Sequence, residues 1–129
     1  MARPNPVSIT DAIADLTFFS QRTPRTTAEE SAAAFAEIAG YRDGGVFVGH
    51  WAGTTEWERH SVGDEIVMVL DGATTIFFVN NGAEESAPLS TGDVVIVPRD
   101  TWHRFETPVE VRLMSVTPQP TDHSSTPPF

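Results

Sequence analysis

Between Gly44 and about Thr117 the sequence is a succession of short runs of β-branched and aromatic residues, separated by Gly, Asn, Asp and Pro. Such runs are typical of β-strands, and the residues between them are typical of turns. The pattern predicts strands near 45–51, 54–60, 65–71, 73–80, 84–89, 93–97, 102–107 and 109–117. Because no helices alternate with these strands, we expect an all-β fold, an antiparallel sandwich or barrel.

The flanking segments differ from this central part and suggest three regions. We expect residues 1–43 to form an N-terminal arm with a short helix that packs on the barrel, and residues 44–118 to form the barrel itself. Residues 119–129 are rich in Pro, Ser and Thr and lack periodicity, which predicts a flexible tail. His123 lies in this tail, and we expect it to be exposed.

Within the arm, the short helix is predicted from helical spacing of apolar residues over 28–39. Thr26 or Thr27 can cap its start, acidic residues occupy its first turn, and Gly40 can end it. Before the helix, the apolar cluster of Leu16, Phe18 and Phe19 can dock on the barrel or on a partner subunit, or simply anchor a loop.

The composition limits the partners and the chemistry. The chain has 129 residues, with 8 Lys+Arg against 18 Asp+Glu and no Cys. A net charge of −10 disfavours binding to nucleic acid or to an anionic membrane surface. The sequence also shows neither a secretory signal nor an apolar run of membrane-spanning length, so we expect a cytoplasmic location. Without thiolates, any metal site must use His and carboxylate ligands.

Four residues of the predicted strands can form such a site. Glu58 and His60 point to the same face because side chains alternate along a strand. After a turn at Gly63 and Asp64, Glu65 begins the next strand and can return beside them. His103 starts a later strand. Two imidazoles and two carboxylates suit one divalent ion, namely Fe, Mn, Ni or Zn.

These residues also carry a resemblance to a known family. The segments GTTEWERHSVGDEIVMVLDG (53–72) and GDVVIVPRDTWHRFET (92–107) resemble the two motifs of the cupin superfamily. The resemblance implies a cupin-type antiparallel jelly-roll β-barrel with inward-facing metal ligands, and a homodimer. Glu58 departs from the motif, where His is usual. His60, Glu65 and His103 still supply two His and one carboxylate, and Glu58 is then either a fourth ligand or a catalytic base.

The same alternation suggests which residues could surround a substrate. Val67 and Val69 share the face of Glu65, and Phe105 shares that of His103, so all three are candidates for an apolar substrate-binding wall. Three arginines could bind a substrate carboxylate, although surface ion pairing is the commoner role for such residues: Arg99, Arg104 and Arg112.

The sequence therefore predicts a metal-dependent enzyme of the dioxygenase, isomerase or lyase type that acts on an organic small molecule. Two alternatives remain open at this stage: a non-catalytic barrel that binds or senses a small ligand without a functional metal, and a structural dimer with a vestigial site.

Overall fold

The computed structural model describes residues 3–129. In this part of the chain the one α-helix, α1, spans Ile9–Ala14, and a short 3-10 helix spans Ala32–Ala34. The strands are β1 (Phe19–Arg22), β2 (Phe35–Tyr41), β3 (Gly44–Thr54), β4 (Trp57–His60), β5 (Glu65–Asn80), β6 (Ala83–Ser90), β7 (Val94–Val97), β8 (His103–Pro118) and β9 (Thr121–Ser124).

All nine strands belong to a single sheet built around β3, β5 and β8. β8 pairs with β3 on one side and β5 on the other, and β5 also pairs with β6 and β7. The β1–β3 pairing is parallel, whereas the other pairings are antiparallel. The predicted all-β architecture is confirmed, but these pairings do not close the sheet into a complete barrel.

In two places, a pair of predicted strands corresponds to a single long strand in the structure. Predicted strands 65–71 and 73–80 are both parts of β5, and 102–107 and 109–117 are both parts of β8. The β5–β8 register shifts on both sides of the bend at Gly72. Gly72 has φ +98°, and a Cβ there would collide with the backbone of Glu110. The predicted corner is therefore a bend that lets two strands approach closely without ending either of them.

The predicted helix over 28–39 is wrong. Its first turn does form a reciprocal cap: Glu30 N donates to Thr27 Oγ1 at 3.1 Å, and Thr27 N donates to Glu30 Oε1 at 2.9 Å. The chain then makes only the short 3-10 helix and continues as β2, which pairs antiparallel with β3. An isolated helix of this length is marginal in water, and pairing with β3 outweighs its propensity.

The predicted flexible tail also needs a correction, because residues Thr121–Ser124 form β9. β9 pairs antiparallel with β4 along its whole length, and Arg59 donates to Asp122 Oδ2 at 3.0 Å across the pair. Backbone hydrogen bonding to the edge of β4 gives this polar segment the order that its composition does not predict.

The core lies between the curved halves of the sheet. Its fully buried residues include Trp51, Ile76 and Val111, which are at most 2% exposed. Side chains facing inward from β3, β5 and β8 therefore meet there, as alternation along strands requires. No helix among the described residues has the length and apolar character needed to cross a bilayer.

Candidate metal centre

Three of the four predicted ligands meet at the ends of three strands. His60 is the last residue of β4, Glu65 the first of β5 and His103 the first of β8. Each offers one ligand atom, and these atoms lie within 4.8 Å of one another. Nε2 of His103 is 3.0 Å from Oε1 of Glu65, and Nε2 of His60 is 3.3 Å from the same oxygen. All three side chains are buried.

Outer hydrogen bonds orient both imidazoles in the same way. Nδ1 of His103 lies 2.9 Å from the carbonyl oxygen of Thr101, which can only accept, so this nitrogen carries the proton. Nδ1 of His60 lies 3.0 Å from Oγ1 of Thr121, whose hydroxyl donates to Gln119 Oε1. That hydroxyl can therefore accept from His60 Nδ1. Both rings then direct Nε2 at Glu65, the arrangement expected of histidine ligands.

The carboxylate of Glu65 is held from two sides. His103 Nε2 donates to Oε1, and Thr117 Oγ1 donates to Oε2 at 2.6 Å. Burial by itself would raise the pKa of Glu65, but the neighbouring imidazoles lower it to about 2. Glu65 is therefore a carboxylate at any ordinary pH, as a metal ligand must be.

The remaining atom of the cluster shows that these residues fit a metal. Nε2 of His60 is buried and makes no hydrogen bond among the described residues, although Glu65 is close. In the metal-free arrangement burial acts to lower the pKa of His103, but its hydrogen bond to Glu65 outweighs this and raises the pKa. Nε2 of His103 thus has a hydrogen-bond partner, whereas Nε2 of His60 has none among the described residues. A divalent ion would engage both nitrogens and the carboxylate together.

Glu58 lies beside this cluster but outside it. It pairs with His103 across β4 and β8, so it shares their inward face as predicted. It is half-buried and lines the cavity described below, yet it does not belong to the three-residue group whose ligand atoms converge. Burial raises the pKa of Glu58 and the charge of Glu65 adds to this, while His103 and Arg22 oppose it.

A cavity of about 510 Å³ opens at the cluster. Glu58, His60 and Glu65 line it on the polar side. Its apolar wall consists of side chains from four strands: Phe35, Phe47, Val48, Trp51, Val67, Phe105 and Leu113. A pocket of this size with mostly apolar walls and a few convergent polar groups suits a small organic molecule.

Two of the three predicted wall residues, Val67 and Phe105, line this cavity. Val69 does not; it packs in the hydrophobic core and is 2% exposed. Val69 shares the face of Glu65, as alternation requires, but it lies farther along β5, where the space between the sheet halves is filled. A residue on the same face of the strand as Glu65 therefore need not line the cavity.

The structure adds residues that the sequence patterns did not identify. Thr117 and Thr121 hold the ligands, and Arg22 enters the cavity from the N-terminal arm. Single Thr and Arg residues carry no spacing signal, and the arm and the tail were assigned no part in the site. His123 is exposed as predicted, but it also lines the cavity and contacts Glu56 at 2.6 Å.

The ion pairing expected of three other arginines is present in the structure. Arg99 lies 4.0 Å from Asp100, Arg104 pairs with Glu84 and Glu106, and Arg112 pairs with Asp71. None of these three lines the cavity within the described chain.

Comparison with known proteins agrees with this architecture. The family model of the cupin domain matches residues 48–117, which is more than half of the chain. No curated protein sequence matches it. Among solved structures, a cupin-2 domain containing protein from Shewanella frigidimarina is similar, with 22% identity and a TM-score of 0.57 over 66% of this chain and 79% of that one.

Two further structures show how widely this fold occurs. A protein from Neisseria meningitidis matches 93% of this chain and 100% of its own, with 13% identity and a TM-score of 0.64. The hydroquinone 1,2-dioxygenase from Sphingomonas sp. TTNP3, solved with 4-hydroxybenzoate bound, matches 64% of this chain and 63% of its own, with 12% identity and a TM-score of 0.55. At these identities the likenesses show the fold alone. With the family match and the inward-facing ligand cluster, they establish that the chain belongs to the cupin family.

Proposed function

We propose that this cupin is a metal-dependent enzyme that acts on an organic small molecule, and that it holds one divalent ion, Fe, Mn, Ni or Zn, on His60, Glu65 and His103. The observation that carries this proposal is the buried Nε2 of His60, which has no hydrogen-bond partner in the described structure and faces the same carboxylate oxygen as His103 Nε2. Two imidazoles and one carboxylate leave positions open for a substrate or oxygen.

The metal would supply Lewis acidity or oxygen activation at the cavity. The protein's own groups then have defined tasks. Thr101, Thr117 and Thr121 fix the orientation of the three ligands through hydrogen bonds. The apolar wall around Val67 and Phe105 excludes water from the reacting end of the substrate.

Glu58 is proposed as the catalytic base. Its raised pKa brings the carboxyl group closer to the range in which it can exchange a proton with a substrate near neutral pH. Its position on the cavity wall, outside the converging atoms, favours proton transfer over ligation. Ligation by Glu58 as a fourth residue is the other outcome that the experiments below distinguish.

Among dioxygenase, isomerase and lyase reactions we place dioxygenase chemistry first. One structural neighbour is a hydroquinone 1,2-dioxygenase, which shares the fold at 12% identity. At this identity the likeness shows the fold alone, so the choice of reaction class is our proposal and requires its own test. Oxygen consumption with a panel of diketones, thiols and phenolic acids would distinguish oxygenase from Lewis-acid chemistry, since the latter proceeds without oxygen.

Metal analysis tests the proposal directly. Tag-free protein would be stripped with chelator, reloaded with each of the four ions and analysed for bound metal. We expect one ion per chain, and none in a His60→Ala, His103→Ala double variant. His123→Ala removes an imidazole outside the cluster and should load like the wild type. Failure of every ion to bind the wild type would refute the metal enzyme and favour a metal-free ligand-binding barrel.

Glu58→Gln separates the two roles of Glu58. If Glu58 is the base, the variant keeps stoichiometric metal and loses turnover. If it is a ligand, metal affinity falls with activity. Homodimerisation and a cytoplasmic location stay predictions, and light scattering of the purified protein tests the first.

A further inference from the structure

Arg22 stands out among the residues of the cavity. All eight basic residues of the chain are arginines, and Arg22 is the one that lines the cavity within the described residues. Its neighbours in the wall are aromatic and aliphatic side chains, together with Glu58 and Glu65. A single guanidinium in a largely apolar pocket is a strong determinant of what can bind there.

The fold places Arg22 at this position through an unusual strand pairing. Arg22 ends β1, which runs parallel to β3 with Phe19 opposite Trp51 and Arg22 opposite Gly53. Gly53 has φ +113°, and a Cβ there would collide with the backbone of Arg22. Glycine at this site therefore allows the arm to lie close enough to β3 for Arg22 to reach the cavity.

The guanidinium of Arg22 lies against two aromatic rings. Its Cζ lies 4.8 Å from the ring centroids of both Phe35 and Trp51. Such cation–π contacts use the charge of the group and leave its five N–H donors available for hydrogen bonds.

Those donors have no partner in the structure. Within residues 3–129, the Arg22 side chain makes no hydrogen bond and has no carboxylate within ion-pair distance, in contrast to Arg59, Arg104 and Arg112. Burial lowers the pKa of Arg22, and the charges of Glu58 and Glu56 oppose this. A guanidinium remains charged in proteins, so a partly desolvated one without a partner favours an anion.

We propose that the cavity takes a small carboxylic acid with a flat apolar body, whose carboxylate is bound by Arg22. The body lies against the aromatic wall formed by residues such as Phe47 and Phe105, and the other end of the molecule faces Glu58 and the ligand cluster. This inference deepens the proposed function by naming a substrate class, and it rests on the same cavity. It does not require that metal be bound.

Three matched probes test this in metal-free protein by titration calorimetry: benzoate, neutral benzamide and cationic benzylamine. Two charge-assisted hydrogen bonds should make benzoate bind about 10- to 100-fold more tightly than benzamide. Arg22→Met keeps an apolar stem of similar length and should reduce this ratio to about one. Arg25→Met removes an exposed arginine from the same arm and should leave the ratio unchanged.

Arg22→Lys covers the case in which Arg22→Met loosens the arm. It keeps the charge but not the planar fork, so it should retain a preference for benzoate that is several-fold weaker than in the wild type. The inference is overturned if wild-type protein binds benzoate no better than benzamide, if it prefers benzylamine, or if folded Arg22→Met retains the full preference.

Metal loading distinguishes this inference from the proposed function. Arg22→Met should still load one ion per chain, because Arg22 is not among the converging ligands. A wild type that selects benzoate but takes no metal would refute the enzyme and leave the carboxylate site standing. A wild type that loads metal but shows no preference for benzoate would refute the carboxylate site and leave the proposed metal enzyme standing.

Discussion

Thr121 places its hydroxyl oxygen 3.0 Å from Nδ1 of His60, so a residue from the C-terminal strand contacts a candidate metal ligand. The same hydroxyl donates to Gln119 Oε1 at 3.0 Å. The last strand of the chain therefore contributes a contact to the candidate site between β4, β5 and β8. Pairing of β9 with β4 places Thr121 opposite His60.

Loss of the Thr121 hydroxyl should weaken metal binding without removing a ligand. Thr121→Val keeps the shape of the side chain and deletes the hydrogen bond, so we expect a 10- to 100-fold loss of affinity for Zn²⁺. Competition with a chromophoric chelator measures it. Thr126→Val, an exposed change in the same tail, is the control. Equal affinity in Thr121→Val and wild type would show that Thr121 does not orient His60.

The stability of the metal-free protein should fall as the pH rises above about 6.5, the ordinary pKa of histidine. The pKa of His103 in the folded state is raised above its ordinary 6.5 by Glu65. The stabilisation from this pair is therefore complete below that ordinary value, and it is lost as the pH passes through the raised pKa. Urea unfolding across this range measures the trend.

Two controls accompany this pH dependence. Glu65→Gln removes the partner and should flatten it, and saturating Zn²⁺ should reverse it because the metal binds deprotonated imidazole. A metal-free wild type whose stability stays level or rises with pH over this interval would contradict the predicted coupling.

Gly53→Ala should destabilise the protein by disturbing the docked arm. The new methyl group meets the backbone of Arg22, and the residue must adopt φ +113°. We expect a loss of about 2 kcal/mol in the free energy of unfolding relative to a control with the same strain. Gly92→Ala is that control, since Gly92 has φ +91° with open space around it. Denaturant titrations compare them, and similar losses in both would argue against close docking.

Val67 and Val69 provide a matched pair for the cavity wall. Both are buried, at 1% and 2% exposed, so either change to Ala should lower the free energy of unfolding by about 2 kcal/mol. Only Val67 lines the cavity, and therefore only Val67→Ala should change the affinity for benzamide appreciably. Titration calorimetry on the two folded variants measures their affinity for benzamide. A larger effect from Val69→Ala would mean that the cavity extends into the core.

Most of the candidate metal ligands were predictable because their proximity depends on short-range geometry. Alternation along β4 places Glu58 and His60 on one face, and the turn before Glu65 is only a few residues long, so local sequence determines their proximity. Placing His103 at the same site required the second motif, because its pairing with Glu58 joins distant parts of the chain. The arm and the tail were predicted poorly for the same reason: β2 and β9 exist because β3 and β4 offer edges for pairing, which no local pattern records.

The all-β class, the succession of strands between Gly44 and Thr117, and the convergence of His60, Glu65 and His103 could thus be read from the sequence, because they follow from side-chain alternation, turn residues and two spaced motifs. The surroundings of these three residues depend on long-range strand pairing and became visible only in the folded chain. Parallel docking of β1 brings Arg22 into the cavity, and pairing of β9 brings Thr121 to His60. Both contacts join residues far apart in the chain, through backbone pairing at sheet edges that any extended segment of suitable shape could make.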